Sequence, residues 1–593
     1  MATYRQKLIV KHSVVFGHEL EDTSELLRSL DKSTAVKIIA RLNHLARTQV
    51  GVSVDDVLNM WFGTSNQEFR VQVRGQIISG YLAKQTRLET LNIISMWSNL
   101  KLLDLILADN EEPKAEKSAE ESERDFFKVY LSVNEEFGKG SDQLANQIEG
   151  EKKDFVGWYA RQMMATLIKY HDFAHLNFNQ VVATQLIKSY YCFRFLVSNG
   201  HQALMHLVLR AYGVGSWQEY FQLILPICYD PIIKGDGSGL FYFQLQGSVN
   251  LPQRRQFIQQ LALDGSQGYP VSPDFLHVRA KPLYETEPNR FLVTDTILTN
   301  NRVHNSLFWE LKSIATGNQH LHPRYNNFFS FFTTEYVEKY LAYTLLDELY
   351  CKTTYYRLSG EQIKKKFHIT LEPDYYVRNG KKVFLYEVKG SVLTGAAKQS
   401  FNYSELEAEL RLKYYQDPKT NKRIGILQLV DRIKVLVSKE KQVPYDLAAK
   451  RDSIRIYPIL LITERALTTP GMNMIFNQWF QHAIINDPDL SSNLHQIQPL
   501  TIIDVDTLIN FMELLKGKPS ILEHAITDYH QLIKKRMPTP SNKKTREQVE
   551  RNLNLCLQSF PEYIESNYKS PQPGLFMQIA KELIAEAEKT NRV

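Results

Sequence analysis

The residues of this chain best suited to chemistry lie in one short stretch, residues 366–390, which carries Asp374, Glu387 and Lys389. Two carboxylates held on a rigid support can bind Mg²⁺, which prefers hard oxygen ligands and usually takes only one or two protein carboxylates plus substrate phosphate. Such a metal polarises a phosphorus–oxygen bond and activates a bound water. A neighbouring lysine can orient that water or stabilise the charge that develops.

The support is legible in the same stretch. Asn379-Gly380 is a strong hairpin signal, because a type I′ turn needs positive φ at both central residues. A turn centred on that pair predicts that Arg378 faces Lys381, Val377 faces Lys382, Asp374 faces Leu385 and Glu372 faces Glu387. Opposed residues share a sheet face, as do residues two apart on one strand. Asp374, Glu387 and Lys389 therefore project from one face, the two carboxylates being diagonal neighbours roughly 7–8 Å apart at the backbone. Phe384, Tyr386 and Val388 point to the other face. A strand apolar on both faces, broken by one Glu and one Lys, is unusual unless those charges work or are paired. The plain alternative makes Glu387 and Lys389 solvated charges on an edge strand.

Pro373-Asp374 followed by Glu387-Val388-Lys389 resembles the PD-(D/E)XK nuclease superfamily, whose fold is restriction-endonuclease-like. The resemblance covers about residues 325–515. It implies a small mixed sheet flanked by helices, with Asp374 and Glu387 as metal ligands and Lys389 beside the attacking water. It also implies an acidic residue on the preceding helix. The helix expected from Thr334 to Leu349, capped by Thr334 and striped by Val337, Leu341, Leu345 and Leu349, offers Glu335 and Glu338. Glu338 lies beside the apolar stripe and is the preferred third ligand or base. A further helix, starting near Arg423, carries Gln428, which several branches of the superfamily use to contact substrate or the metal-bound water. Lys413, Lys422 and Arg423 are candidates to meet phosphates.

The elements that follow the hairpin alternate. A helix is expected from Glu405 to Tyr415, a buried strand over Ile454–Thr463, a helix from Asn473 to Ile485, a buried strand over Ile497–Asp504 and a helix from Val505 to Leu515. Such alternation is an α/β signature.

The whole chain, 593 residues, is long enough for two to four domains. The expected class is an α-rich multidomain protein. It divides into a helical N-terminal domain (1–107), a charged linker (108–125), a helical or mixed middle domain (126–324), the nuclease-like α/β domain (325–520), and a basic linker with C-terminal helices (521–593). The linker reading rests on the lack of any large apolar side chain in 108–125. His171 and His175 stand four apart, a zinc-compatible spacing with no evident third ligand. Lys234–Gly239 is glycine-dense but lacks a P-loop ending. His320 and His322 read as loop residues. Lys534–Arg546 is basic, either a nucleic-acid contact or a linker.

Four cysteines, with no CxxC pair, suggest a reducing compartment. No signal-peptide core and no run of 18 apolar residues is present, so a cytoplasmic location away from the membrane is expected. A net charge of +6 permits nucleic-acid binding without arguing for it. The function expected from the resemblance is metal-dependent phosphodiester hydrolysis with Mg²⁺, or Mn²⁺ as substitute. DNA is favoured over RNA as substrate, in a bacterial defence role such as restriction or an antiphage effector. An RNase of the same fold, or a non-catalytic binding subunit, stands as the alternative. The absence of a P-loop assigns any ATP-driven step to a partner protein, an ATPase or sensor subunit, and a homodimer is compatible with cutting both strands.

Overall fold

A computed structural model describes residues 8–48, 53–82, 90–109, 111, 117–148, 154–174, 177–233, 238–245, 250–437, 443–516, 518–537, 546–569 and 573–590. Helices dominate them, interrupted by three small sheets. The first sheet is a parallel pair, β1 (Leu8–Ile9) with β2 (Leu91–Asn92). The second joins β3 (Tyr242–Gln244), β4 (Ala262–Leu263), β5 (Leu283–Glu287) and β6 (Arg290–Val293) in the order β3-β6-β5-β4.

The third sheet positions the candidate site. Its strands are β7 (Tyr356–Ser359), β8 (Tyr375–Asn379), β9 (Lys382–Lys389), β10 (Arg455–Ile462) and β11 (Thr501–Asp504), in the order β11-β10-β9-β8-β7. The pairs β7–β8 and β8–β9 are antiparallel, whereas β10 runs parallel to both β9 and β11. Central strands buried on both faces need apolar side chains on both, and β9 and β10 supply them. Phe384, Tyr386 and Val388 enter one core with helices Tyr343–Leu349 and Val505–Leu515. Val383 and Leu385 enter the opposite core with helices Ile426–Val437 and Met472–Ile485. The sheet is thus helix-covered on both sides.

The hairpin register differs from the expected one. Asn379 pairs with Lys382, so Gly380 and Lys381 form the turn. Gly380 alone of these takes a positive φ, 59°. A turn with glycine at its first central position needs no left-handed residue at the second, so Asn379 stays in the ladder. Moving the turn by one residue shifts each cross-strand partner by two. The facing of every side chain is therefore kept.

Three further expectations are corrected. Thr334 caps no helix: the chain is already helical at Phe328–Phe331, capped by the Asn327 side chain, and continues as a π-helical stretch, Phe332–Ala342, into Tyr343–Leu349. Residues 119–125 are not linker but the first turns of the helix Ala119–Ile148. Phe126, Phe127 and Tyr130 of that helix share one core with Leu100, Leu103 and Val36. Likewise one core runs from Leu186 and Phe221 through Leu341 to Phe384 and on to Phe560 and Ile564, across both the 324/325 and the 520/521 divisions.

The helices expected after the hairpin lie at Tyr403–Tyr414, Met472–Ile485 and Val505–Leu515. Missed was the strand-and-helix unit of β7 and Gly360–Phe367, although Ser359 and Gln362 form a capping box there. No helix of the described residues is long and apolar enough to cross a membrane.

Candidate functional site

Glu387 sits at the end of β9, on the face covered by helix Ile426–Val437, and is 1% exposed. A carboxylate so deep in the fold needs a reason. Neither of its oxygens has a hydrogen-bond partner among the described residues. Its counter-charge is Lys389, two residues on and on the same face, with Nζ 2.9 Å from Oε1. That approach is a close ion pair without hydrogen-bond geometry. Arg432 stands farther off, its Nε 3.9 Å from the other oxygen.

Asp374 precedes β8. Extending the ladder by one pair sets it opposite Glu387. One of its carboxylate oxygens accepts the Val388 backbone N–H at 2.7 Å, which fixes the side chain against the end of β9. Its own carbonyl accepts from Gly360 at 2.8 Å, tying it to the start of the helix after β7.

Glu338 comes from the π-helical stretch, a kind of helix deformation often found at functional sites. Gly390 allows that approach: a Cβ there would lie 3.1 Å from Thr333 and 3.2 Å from Val337. Glu335 points elsewhere, to Arg324 and Lys339.

The electrostatics couple the four groups. Burial pushes the Glu387 carboxyl up to about 7, with Asp374 adding to the rise and Lys389 and Arg432 opposing it. Burial likewise pushes Glu338 up to about 7, against Lys389 and with Asp374 and Glu387. Lys389 is held above the usual lysine range. Burial works against its charge, and Glu387, Asp374 and Glu338 together outweigh it.

No protein-family model, curated protein or solved structure matches this chain. The oxygens of Glu387, which accept no hydrogen bond among the described residues, and the carboxylates of Asp374 and Glu338 nearby are the hard donors that Mg²⁺ or Mn²⁺ takes, so the donor chemistry fits. The spacing is not that of a preformed cage: among the described residues no group of three or more His, Cys, Asp or Glu is gathered to hold a metal ion.

The remaining expected residues are placed as follows. The side-chain oxygen of Gln428 accepts from Gly425 N at 2.8 Å, half of a capping box at the start of its own helix, rather than reaching the carboxylates. Arg432, one turn further on, takes the inward place. It donates to the Glu372 carbonyl at 3.0 Å and to the Gln428 carbonyl at 3.2 Å. Sequence reading missed it, although its i+4 spacing from Gln428 puts both on one helix face. Arg423 is exposed and pairs with Asp431 at 2.8 Å, Lys422 is exposed, and Lys413 is half-buried. His171 lies in a 3₁₀ turn, His171–Phe173, not on an α-helix. Its Nε2 meets Thr468 Oγ at 3.1 Å, and burial lowers it to about 3. His175 and residues 234–237 of the glycine-dense loop lie outside the described residues, as do 538–545 of the basic stretch. His320 lies in the 3₁₀ turn Gln319–Leu321.

Proposed function

We propose that the chain is a metal-dependent nuclease of the PD-(D/E)XK type, hydrolysing phosphodiester bonds. One observation carries the reading. Glu387 is a wholly buried carboxylate whose oxygens accept no hydrogen bond among the described residues and whose close partner is the Lys389 ammonium, with Asp374 and Glu338 brought up from other elements. Burying such a pair costs several kcal/mol, more than an apolar pair at the same places in the sheet would.

In this reading Asp374 and Glu387 hold a divalent cation, Mg²⁺ or Mn²⁺. When bound, such a cation polarises the phosphoryl group and lowers the pKa of a coordinated water. Lys389 keeps its proton across the physiological range and sets a positive charge where the phosphoryl oxygens gain negative charge. Glu338, poised near 7, is suited to accept the proton of the attacking water. Arg432 restrains the Glu372 carbonyl, two residues before Asp374, and faces Glu387.

A second reading, a nucleic-acid-binding subunit with a silent site, is favoured by the tight Lys389–Glu387 pair and the lack of a preformed three-ligand group among the described residues. Cleavage assays separate the two. Parent, Glu387→Ala and Lys389→Ala proteins are incubated with plasmid, single-stranded DNA and RNA in Mg²⁺, Mn²⁺ or EDTA. Metal-dependent cutting lost in both variants supports the nuclease, and the preferred substrate decides between DNA, the favoured one, and RNA. Absence of cutting in every condition favours the silent subunit. A defence role and an ATPase or sensor partner belong to this same reading.

A further inference from the structure

A cleft of about 440 Å³ is lined by His368–Leu371, Lys434, Val435 and Pro444. One wall is His368–Leu371, which runs through Glu372 and Pro373 into Asp374. The opposite wall includes Lys434 and Val435, less than one turn beyond Arg432 on helix Ile426–Val437. Each wall is thus continuous along the chain with a residue of the candidate site, Asp374 on one side and Arg432 on the other. The volume lies within the range of small-ligand pockets. Ile369, Leu371 and Val435 make it apolar, while His368, Thr370 and Lys434 give it polar edges.

The rim is basic. Lys364, Lys365 and Lys366 form the last turn of the helix Gly360–Phe367, and all three are exposed. Cations at a helix C-terminus are favoured by its dipole, and that accounts for one or two of them. Yet none of the three pairs with a carboxylate among the described residues. Phe367 beside them is 36% exposed, and Leu371 is 48% exposed. Lysines interleaved with an exposed aromatic are how proteins hold single strands, by phosphate contact and base stacking.

We infer that Lys364–Lys366, Phe367 and the adjoining cleft bind an unpaired nucleic-acid strand and lead its backbone to Glu387. A base enters between Leu371 and Val435 while the lysines meet successive phosphates. This deepens the nuclease reading and rests on it for the direction of the strand, but the binding itself is separable from cutting.

Binding is measured by fluorescence anisotropy in EDTA, where no cutting occurs. The probes are a single-stranded DNA, a single-stranded RNA and a duplex. The proteins are the parent, Lys364→Glu/Lys365→Glu/Lys366→Glu, Lys364→Gln/Lys365→Gln/Lys366→Gln and Leu371→Asp. Thermal melting checks that each is folded, and all of the substitutions are at exposed positions. The expected result is single-strand binding weakened more than tenfold in the triple variant and by Leu371→Asp. Reducing the charge to neutral in Lys364→Gln/Lys365→Gln/Lys366→Gln makes the slope of log K against log salt shallower by about 2, at about 0.7 per phosphate. Unchanged single-strand affinity in the triple variant and in Leu371→Asp, or tighter binding of duplex than of single strand by the parent, overturns the proposal. If the lysine variants lose binding but the parent cuts nothing, the strand site stands and the nuclease reading fails. If the parent cuts and the variants bind as it does, the reverse holds.

Discussion

Lys389 Nζ stands 2.9 Å from Oε1 of Glu387, two residues before it on the same strand and face. The pair is internal to β9, so its geometry is set by the pleat and not by a distant contact. It makes Lys389 the resident counter-ion of a carboxylate that burial would otherwise protonate.

Divalent cations should compete with protons at this site. Glu387 and Glu338 are both raised to about 7, so ligands are protonated below that pH and ionised above it. At limiting Mg²⁺, cutting is expected to rise with pH through about 7 and then level. The rise in melting temperature caused by Mg²⁺ should be larger at pH 8 than at pH 6 and absent in Glu387→Gln. Equal Mg²⁺ shifts at both pH values would remove these carboxyls from the metal site.

Stability without metal should fall as pH rises from about 4.5 toward 7. The unfolded Glu387 releases its proton near 4.5, while the folded one keeps it to about 7. Within that window the folded chain binds more protons, so raising the pH favours unfolding. The whole effect of this one group is at most about 3 kcal/mol, at 1.36 kcal/mol per pH unit. Chemical denaturation in EDTA across that range, with Glu387→Gln beside the parent, measures it. The variant should show the flatter profile.

Lys389→Met should destabilise the chain by about 3 kcal/mol at pH 8, because it leaves a buried carboxylate whose nearest cation is then Arg432. At pH 6 the cost should be much smaller, since Glu387 is then largely protonated. A cost independent of pH would mean that packing, not charge, is what Lys389 supplies.

Gln428 and Arg432 share a helix face but differ in role. Gln428→Ala removes a cap and should cost about 1 kcal/mol of stability with cutting nearly unchanged. Arg432→Ala frees the Glu372 carbonyl and weakens the field at Glu387, and should lower kcat/KM by about tenfold or more. Steady-state rates on an oligonucleotide would reverse these roles if Gln428→Ala proved the more damaging.

The helix after β9 is pinned to the rest of the chain by a buried charge cluster. Lys398 pairs with Asp172 at 2.8 Å and Asp274 at 3.1 Å, and Arg279 meets the same two carboxylates at 2.8 and 2.9 Å. Lys398→Met should cost about 3 kcal/mol and lower the single cooperative transition, not split it, because the cluster spans three parts of the chain. Two resolved transitions would show that these parts unfold separately.

The sequence by itself determined that Asp374, Glu387 and Lys389 share one face of a hairpin, because alternation is a property of the strand. It survives the one-residue displacement of the turn from Asn379-Gly380 to Gly380-Lys381. The buried runs of β9 and β10 were legible for the same local reason. Tertiary structure alone decided the rest. Arg432 reaches Glu387 across 45 positions of chain, Glu338 arrives only because a π-helical stretch packs on Gly390, and Asp374 is fixed by an amide fourteen residues away. Residues 119–125 read as linker because they carry no large apolar side chain. They are helical because the apolar residues that follow them anchor the same helix in the core. Packing stabilises helix turns whose own composition would not, and that is a relation between segments that no single segment contains.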